Sequence, residues 1–255
     1  MPMPKFAANL SLLFTELPFP ERFAAAANTG LFEAVEFQFP YDHDLKTLTQ
    51  TAQQAGLPVA LINAPPGDTF GQAALNSTDF ESSITEALRY ATALGAEKLH
   101  VMAGITEPSP DATALYRRNI TTAARMAAER GVLIVVEPIN HHTVPGYFLH
   151  DLDQALGLIQ NIPNVKILFD IFHIQQIHGD LTRRLTALHQ QDLLGHLQVA
   201  AVPSRHEPGT GEVDDARLFE LIDALPWPGF VGAEYHPADT TVEGLGWLQP
   251  WVTYH

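Results

Sequence analysis

The chain has 255 residues, a formal net charge of −15, 46% hydrophobic residues and no cysteine. The lack of cysteine excludes disulfides and thiolate chemistry, and it favours a cytoplasmic protein. The acidic charge argues against a nucleic-acid partner, because phosphate binding requires a concentrated surface of Lys and Arg. The sequence shows no secretory-signal pattern and no apolar stretch long enough to span a bilayer, so we expect no membrane partner.

Strand-like and helix-like segments alternate through the first half of the chain. Strands are predicted at 5–10, 34–39, 58–63 and 98–102, and helices at 21–28, 44–55, 79–94 and 112–130. A glycine closely follows each of these helices, and glycine is the residue that most commonly ends a helix. The third strand is followed by a long loop over residues 64–78.

The alternation continues through the second half. Strands are predicted at 133–136, 165–170, 194–199 and 230–234, and helices at 151–162, 181–191, 216–225 and 242–254. Eight strand–helix pairs predict an α/β protein built as a (β/α)₈ TIM barrel, with one domain over residues 1–255. The alternative is a doubly wound open sheet, which is disfavoured because no glycine-rich phosphate turn follows the first strand.

Four polar side chains close the last four predicted strands. Glu137 directly follows the apolar run 133–136, where a carboxylate would be costly as core filling, and Asp170, Gln198 and Glu234 close the next three strands. In a parallel barrel these strand ends meet at the rim where chemistry is placed. Each residue alone also fits a helix cap or a satisfied core group. Together they favour a hard divalent cation, Mg²⁺ or Mn²⁺, because their ligand atoms are all oxygens.

Two more side chains are expected at the same rim. His173 lies three residues after Asp170, close enough to hydrogen-bond a substrate oxygen or to support a metal ligand. Arg205 lies in the loop after the seventh strand, where a guanidinium could hold a substrate carboxylate through two parallel hydrogen bonds. The alternative for Arg205 is pairing with Glu207 or Glu212 of its own loop.

Six segments spread over nearly the whole chain carry distinctive motifs. They are FAANLS (6–11), VEFQFPY (35–41), VEPIN (136–140), FDIFH (169–173), RHEPGTGE (205–212) and EYHP (234–237). In combination they resemble the hydroxypyruvate isomerase family and the related 2-oxo-tetronate isomerases, which belong to the xylose-isomerase-like TIM barrels.

The resemblance implies that Glu137 and Glu234 are the two proton-transfer carboxylates, and that all four strand-end side chains hold a divalent metal. It also implies that His173 and Arg205 contact the substrate. The implied reaction converts hydroxypyruvate to tartronate semialdehyde through an enediolate, with 2-oxo-tetronate to 3-oxo-tetronate as the nearest rival. The reaction is redox-neutral, so neither a nicotinamide nor a flavin is expected.

Three other functions stay open at this stage. A ketose 3-epimerase on the same scaffold is disfavoured, because the epimerase relatives carry a histidine in place of Gln198. A DNA-repair nuclease is disfavoured by the charge of −15 and by the lack of a multi-metal histidine cluster. The third is a barrel that binds a metabolite without catalysis.

The aromatic tail at 242–254 is the one hint of a homo-oligomer interface.

Overall fold

The computed structural model describes residues 4–251. Within this range, parallel strands close into a barrel in which each strand pairs with the next and the last pairs with the first. The strands are β1 Lys5–Asn9, β2 Ala34–Phe37, β3 Val59–Asn63, β4 Lys98–His100, β5 Leu133–Val136, β6 Val165–Asp170, β7 Leu194–Val199 and β8 Phe230–Ala233. The predicted TIM barrel is therefore confirmed, whereas a single domain over residues 1–255 stays a prediction.

Helices surround the barrel and connect its strands. They are α1 Phe19–Thr29, α2 Leu45–Ala55, α3 Phe80–Leu94, α4 Pro110–Ala128, α5 Leu152–Ile159, α6 Ile171–Ile177, α7 Leu181–Gln190, α8 Asp215–Ala224 and α9 Thr241–Gly244, followed by a 3₁₀ helix at Leu245–Trp251. Local sequence fixes several helix starts. The side chain of Asp44 accepts a hydrogen bond from Thr47 N, and that of Asp151 accepts one from Gln154 N. Over the described range, none of the helices combines the length and the apolar character needed to cross a bilayer.

Both faces of the strands are buried, which explains their continuous apolar runs. In β5, Ile134 and Val136 join the large apolar cluster between the strands and the helices. Val135 points the other way and packs with Leu61 and Leu168 inside the barrel. Because side chains alternate along a strand, Glu137 also points inward, just beyond this apolar layer.

Two elements differ from the sequence prediction. Helix α6 begins directly after β6, because the Asp170 side chain accepts a hydrogen bond from Phe172 N at 2.8 Å and caps the helix. The apolar residues that follow Asp170 gave no sign of a helix start. The tail predicted as one helix at 242–254 consists of the short α9 and the 3₁₀ helix, and residues 252–254 lie outside the described residues.

Candidate active site

Polar side chains stand at the carboxyl end of every strand of the barrel. The set is Asn9, Gln38, Asn63, His100, Glu137, Asp170, Gln198 and Glu234. Five of them line a cavity of about 90 Å³, together with Arg205 and His173. Larger cavities of about 410 and 380 Å³ lie around Trp227. They are lined by residues at the amino ends of the strands, where TIM barrels place stability rather than chemistry.

Glu137, Asp170 and His173 form a compact buried cluster. One potential ligand atom from each lies within 4.8 Å of the other two. His173 Nε2 lies 3.8 Å from Glu137 Oε1 and 3.6 Å from Asp170 Oδ2. These separations are longer than hydrogen bonds, so the three groups face one another across a small gap.

Hydrogen bonds around His173 determine which ring nitrogen carries the proton. The Asn140 side-chain oxygen accepts from Thr143 N at 2.9 Å, which turns the Asn140 amide nitrogen toward His173 Nδ1 at 2.7 Å. Nδ1 is thus the acceptor and Nε2 carries the proton. Burial lowers the pKa of His173 well below its usual value, so the ring is neutral. A protonated Nε2 donates a hydrogen bond and has no lone pair with which to bind a metal. The contact of His173 with a substrate stays a prediction.

Glu234 is held by donors from three directions. Its Oε2 accepts from Arg205 Nη2 at 2.7 Å, and its Oε1 accepts from Asn9 Nδ2 and Gln38 Nε2, each at 3.1 Å. Arg205 Nη2 also lies 3.7 Å from Asp170 Oδ2. The guanidinium therefore joins the carboxylate that ends β6 to the one that follows β8.

The loop acids do not compete for Arg205. Glu207 accepts a hydrogen bond from Ala238 N at 3.0 Å, and Glu212 accepts one from Gln175 Nε2 at 3.2 Å. Arg205 therefore points to Glu234 and Asp170 rather than to its own loop, and its contact with a substrate carboxylate stays a prediction.

The three acids crowd one another in a buried place. Burial raises the pKa of Glu137 well above its usual value, and the nearby charges of Asp170 and Glu234 raise it further. Burial also raises the pKa of Asp170 to about 7, although Arg205 opposes the shift. The pKa of Glu234 is raised by burial and lowered in part by Arg205. Without another positive charge, these acids cannot all be ionised at neutral pH.

Sequence reasoning missed a buried carboxylate in the barrel interior. Glu36 accepts hydrogen bonds from Asn9 Nδ2 at 3.0 Å and from Gln198 Nε2 at 2.8 Å, and His196 Nε2 lies 2.7 Å from its other oxygen. His100 was also missed, and its Nε2 lies 3.7 Å from Glu137 Oε2. The signal for Glu36 was present, since this acid interrupts an apolar strand.

Comparison with known proteins identifies the family. The profile described as xylose isomerase-like TIM barrel matches residues 23–251. This chain belongs to that family. Within it, the chain is 43% identical to a 2-oxo-tetronate isomerase of Cupriavidus necator, covering 98% of this chain and 99% of the relative. It is 40% identical to the hydroxypyruvate isomerase of Escherichia coli, covering 98% and 100%. The predicted resemblance to these isomerases, and with it the prediction of an isomerase enzyme, is confirmed.

Solved structures agree with this family assignment. A crystal structure from Brucella melitensis, described as an AP endonuclease of family 2, superposes with a TM-score of 0.94 at 40% identity, covering 98% of this chain and 100% of the other. A 3-keto-D-glucoside 4-epimerase from E. coli superposes with a TM-score of 0.77 at 21% identity, covering 97% and 99%. The second likeness shows the shared fold alone.

The donor atoms of this xylose isomerase-like site fit a hard cation. Three buried oxygens have no hydrogen-bond partner among the described residues, namely Glu137 Oε1, Asp170 Oδ2 and Gln198 Oε1. Buried acceptors without donors are costly, and oxygens of this kind are the ligands that a hard divalent cation prefers. Glu234 differs, because both of its oxygens already accept hydrogen bonds. The structure thus contains a candidate acidic metal-binding group, while the individual roles stay predictions.

Proposed function

We propose that the protein is a metal-dependent isomerase that converts hydroxypyruvate to tartronate semialdehyde. The observation that carries this proposal is the placement of Glu137 and Glu234 on one small cavity. Arg205 links Glu234 to Asp170 there, and the buried oxygens Glu137 Oε1 and Asp170 Oδ2 have no hydrogen-bond donor among the described residues. Relatives named for hydroxypyruvate and 2-oxo-tetronate support the substrate class, a small oxo-acid.

The reaction moves one proton between neighbouring carbons of the substrate. A base takes a proton from the hydroxymethyl carbon, and an acid returns one to the former carbonyl carbon. The proton of the substrate hydroxyl group passes to the oxygen of the former carbonyl group. Glu137 and Glu234 are the groups proposed for these steps, and the two exchange roles in the reverse direction. Because the transfer is redox-neutral, neither nicotinamide nor flavin is required.

Two neighbouring side chains orient the substrate in this proposal. The Arg205 guanidinium, which already bonds Glu234 at 2.7 Å, binds the substrate carboxylate. The Nε2 proton of His173 donates to a substrate oxygen. Both groups are fixed by neighbours in the structure, so binding requires little reorganisation.

Glu137, Asp170, Gln198 and Glu234 would hold the divalent cation, Mg²⁺ or Mn²⁺. When bound, the cation supplies positive charge that stabilises the negative oxygens of the enediolate. The same charge would allow the crowded acids to ionise together.

A substrate panel tests this proposal. The purified protein with added Mn²⁺ is assayed against hydroxypyruvate, 2-oxo-tetronate and a set of ketoses, and we expect the fastest turnover with hydroxypyruvate. Glu137→Gln should abolish it, whereas Glu81→Gln, at an exposed position of α3, should leave it unchanged. Faster turnover of 2-oxo-tetronate would identify that compound, rather than hydroxypyruvate, as the substrate. Epimerisation of ketoses without turnover of either oxo-acid would refute an oxo-acid isomerase.

A nuclease is the second candidate, because the Brucella melitensis structure is described as an AP endonuclease. The net charge of −15 opposes it, since association with DNA depends on neutralising phosphates. We expect neither binding nor cleavage of a duplex that contains an abasic site, at low salt and with Mn²⁺ present. Cleavage that Glu137→Gln abolishes would favour the nuclease.

A further inference from the structure

Glu36 is a fully buried carboxylate that the proposed reaction does not use. It lies on β2 inside the barrel, where an unsatisfied acid would be costly. Its neighbours compensate that cost, because Asn9, Gln198 and His196 all direct nitrogen atoms at it.

The contact with Gln198 decides which way that amide faces. A side-chain amide has a donating end and an accepting end, and a carboxylate oxygen accepts hydrogen bonds. Gln198 Nε2 lies 2.8 Å from Glu36 Oε1, so the nitrogen is the end that faces Glu36. The oxygen is then directed away from Glu36, on the strand whose register partner at this point is Asp170. That oxygen is the buried Gln198 Oε1 with no partner among the described residues.

The same carboxylate also reaches Glu234 through Asn9. Asn9 Oδ1 accepts from Ser11 N at 3.1 Å, which turns its Nδ2 toward the two acids. Nδ2 then donates to Glu36 Oε1 at 3.0 Å and to Glu234 Oε1 at 3.1 Å. Glu36 therefore contacts one candidate metal ligand, Gln198, directly and a second, Glu234, through Asn9.

The backbone of β8 leaves room for this arrangement. Gly232 is the register partner of Gln198, and a Cβ at Gly232 would lie 2.4 Å from both carboxylate oxygens of Glu36. A side chain at that position would displace the carboxylate. The lack of a side chain at Gly232 therefore leaves the space that the Glu36 carboxylate occupies.

We propose that Glu36 is a positioning residue, which holds the Gln198 amide so that its oxygen faces the cation site. The inference rests on the metal-dependent function proposed above. Outer neighbours of metal ligands usually fix the orientation of those ligands, and losing one weakens metal binding about 10- to 100-fold.

Titration of the metal-free protein with Mn²⁺ tests the inference without any substrate. Free Mn²⁺ is followed by electron paramagnetic resonance, and thermal melting confirms that each variant is folded. We expect Glu36→Gln to raise the Kd about 10- to 100-fold. Glu33→Gln is the matched control, because Glu33 is exposed just before β2, and its Kd should equal that of the wild type.

A double-mutant cycle separates positioning from a general structural effect. If Glu36 acts through Gln198, then Glu36→Gln should change the Kd less than about twofold in a Gln198→Ala background. If Glu36→Gln does not fold, Gly232→Ala takes its place in the cycle, since it displaces the carboxylate and keeps every polar group. An equal effect in both backgrounds would overturn the inference.

The outcomes also separate this inference from the proposed reaction. A wild-type protein that binds Mn²⁺, with a Kd that Glu36→Gln leaves unchanged, overturns the inference alone. A wild-type protein that binds no Mn²⁺ overturns both the cation assignment and the inference. A protein that isomerises none of the tested compounds, yet shows the Glu36-dependent Kd, supports the inference and refutes the reaction.

Discussion

Replacing Gly232 by alanine should destabilise the barrel through one added methyl group. Its Cβ would lie 2.4 Å from both oxygens of Glu36, about 1 Å inside van der Waals contact. Strand β8 cannot move away, because Gly232 pairs with Gln198 on one side and with Ala7 on the other. Glu36 must therefore move and weaken at least one of its hydrogen bonds.

The expected cost follows from these two effects. Overpacking of a core costs about 1–3 kcal/mol, and losing a hydrogen bond to a charged group costs about 1.5–3 kcal/mol. Allowing for partial relaxation, we expect a loss of about 2–5 kcal/mol in the free energy of unfolding. For a domain of this size that corresponds to a decrease in Tm of roughly 5–15 °C.

Thermal unfolding followed by circular dichroism measures this effect. Gly157→Ala is the control, because it makes the same chemical change in helix α5, where nothing lies within 4 Å of the added methyl group. It should leave the Tm unchanged or raise it slightly. In a Glu36→Ala background, Gly232→Ala should lower the Tm much less than it does in the wild type, because the clashing carboxylate is gone. The explanation is wrong if Gly232→Ala melts within 1 °C of the wild type, or if its effect is equal in both backgrounds.

Three further predictions concern the site. Glu234→Gln should lower kcat for hydroxypyruvate about 10²- to 10⁴-fold while the circular dichroism spectrum stays unchanged, and near wild-type turnover would exclude this proton-transfer role. Arg205→Lys should raise KM at least tenfold with a smaller effect on kcat, because lysine keeps the charge and loses the bidentate geometry; steady-state kinetics with an unchanged KM would contradict this role. In the metal-free protein the pKa of Asp170 is raised to about 7, so the folded state binds its proton more tightly than the unfolded chain. The resulting stabilisation is complete below the unfolded pKa of about 4 and is lost as pH rises through 7. Thermal melts of chelated protein at pH 5 and pH 8 should show this loss for the wild type and a smaller one for Asp170→Asn.

Much of the fold could be predicted from the sequence, because most strands are apolar runs and most are followed by an amphipathic helix. Helix α6 was missed for a physical reason. Ile171 and Phe172 continue the apolar run of β6, and the cap that starts the helix is Asp170 itself. Because Asp170 both ends the strand and caps the helix, no polar loop separates the two elements in the sequence.

The candidate site was predicted in part for a similar reason. Glu137 and Asp170 were found because an acid after an apolar strand is costly and calls for an explanation. Asn9, Gln38 and Asn63 lie at the ends of their strands and carry neutral amides, which cost less to bury than a carboxylate. The sequence pattern therefore marked them less clearly. Glu36 carried the same signal as Glu137, but it lies within its strand. Its partners could not be known before the barrel closed, because His196 and Gln198 come 160 and 162 residues later.

Metal dependence of hydroxypyruvate turnover tests the central claim most directly. The protein is treated with a chelator, passed into metal-free buffer and assayed before and after addition of Mn²⁺. We expect no measurable turnover in the metal-free protein and full recovery when Mn²⁺ is added. Metal-free protein that isomerises hydroxypyruvate at the original rate would contradict the claim that these oxygens bind a cation needed for the reaction.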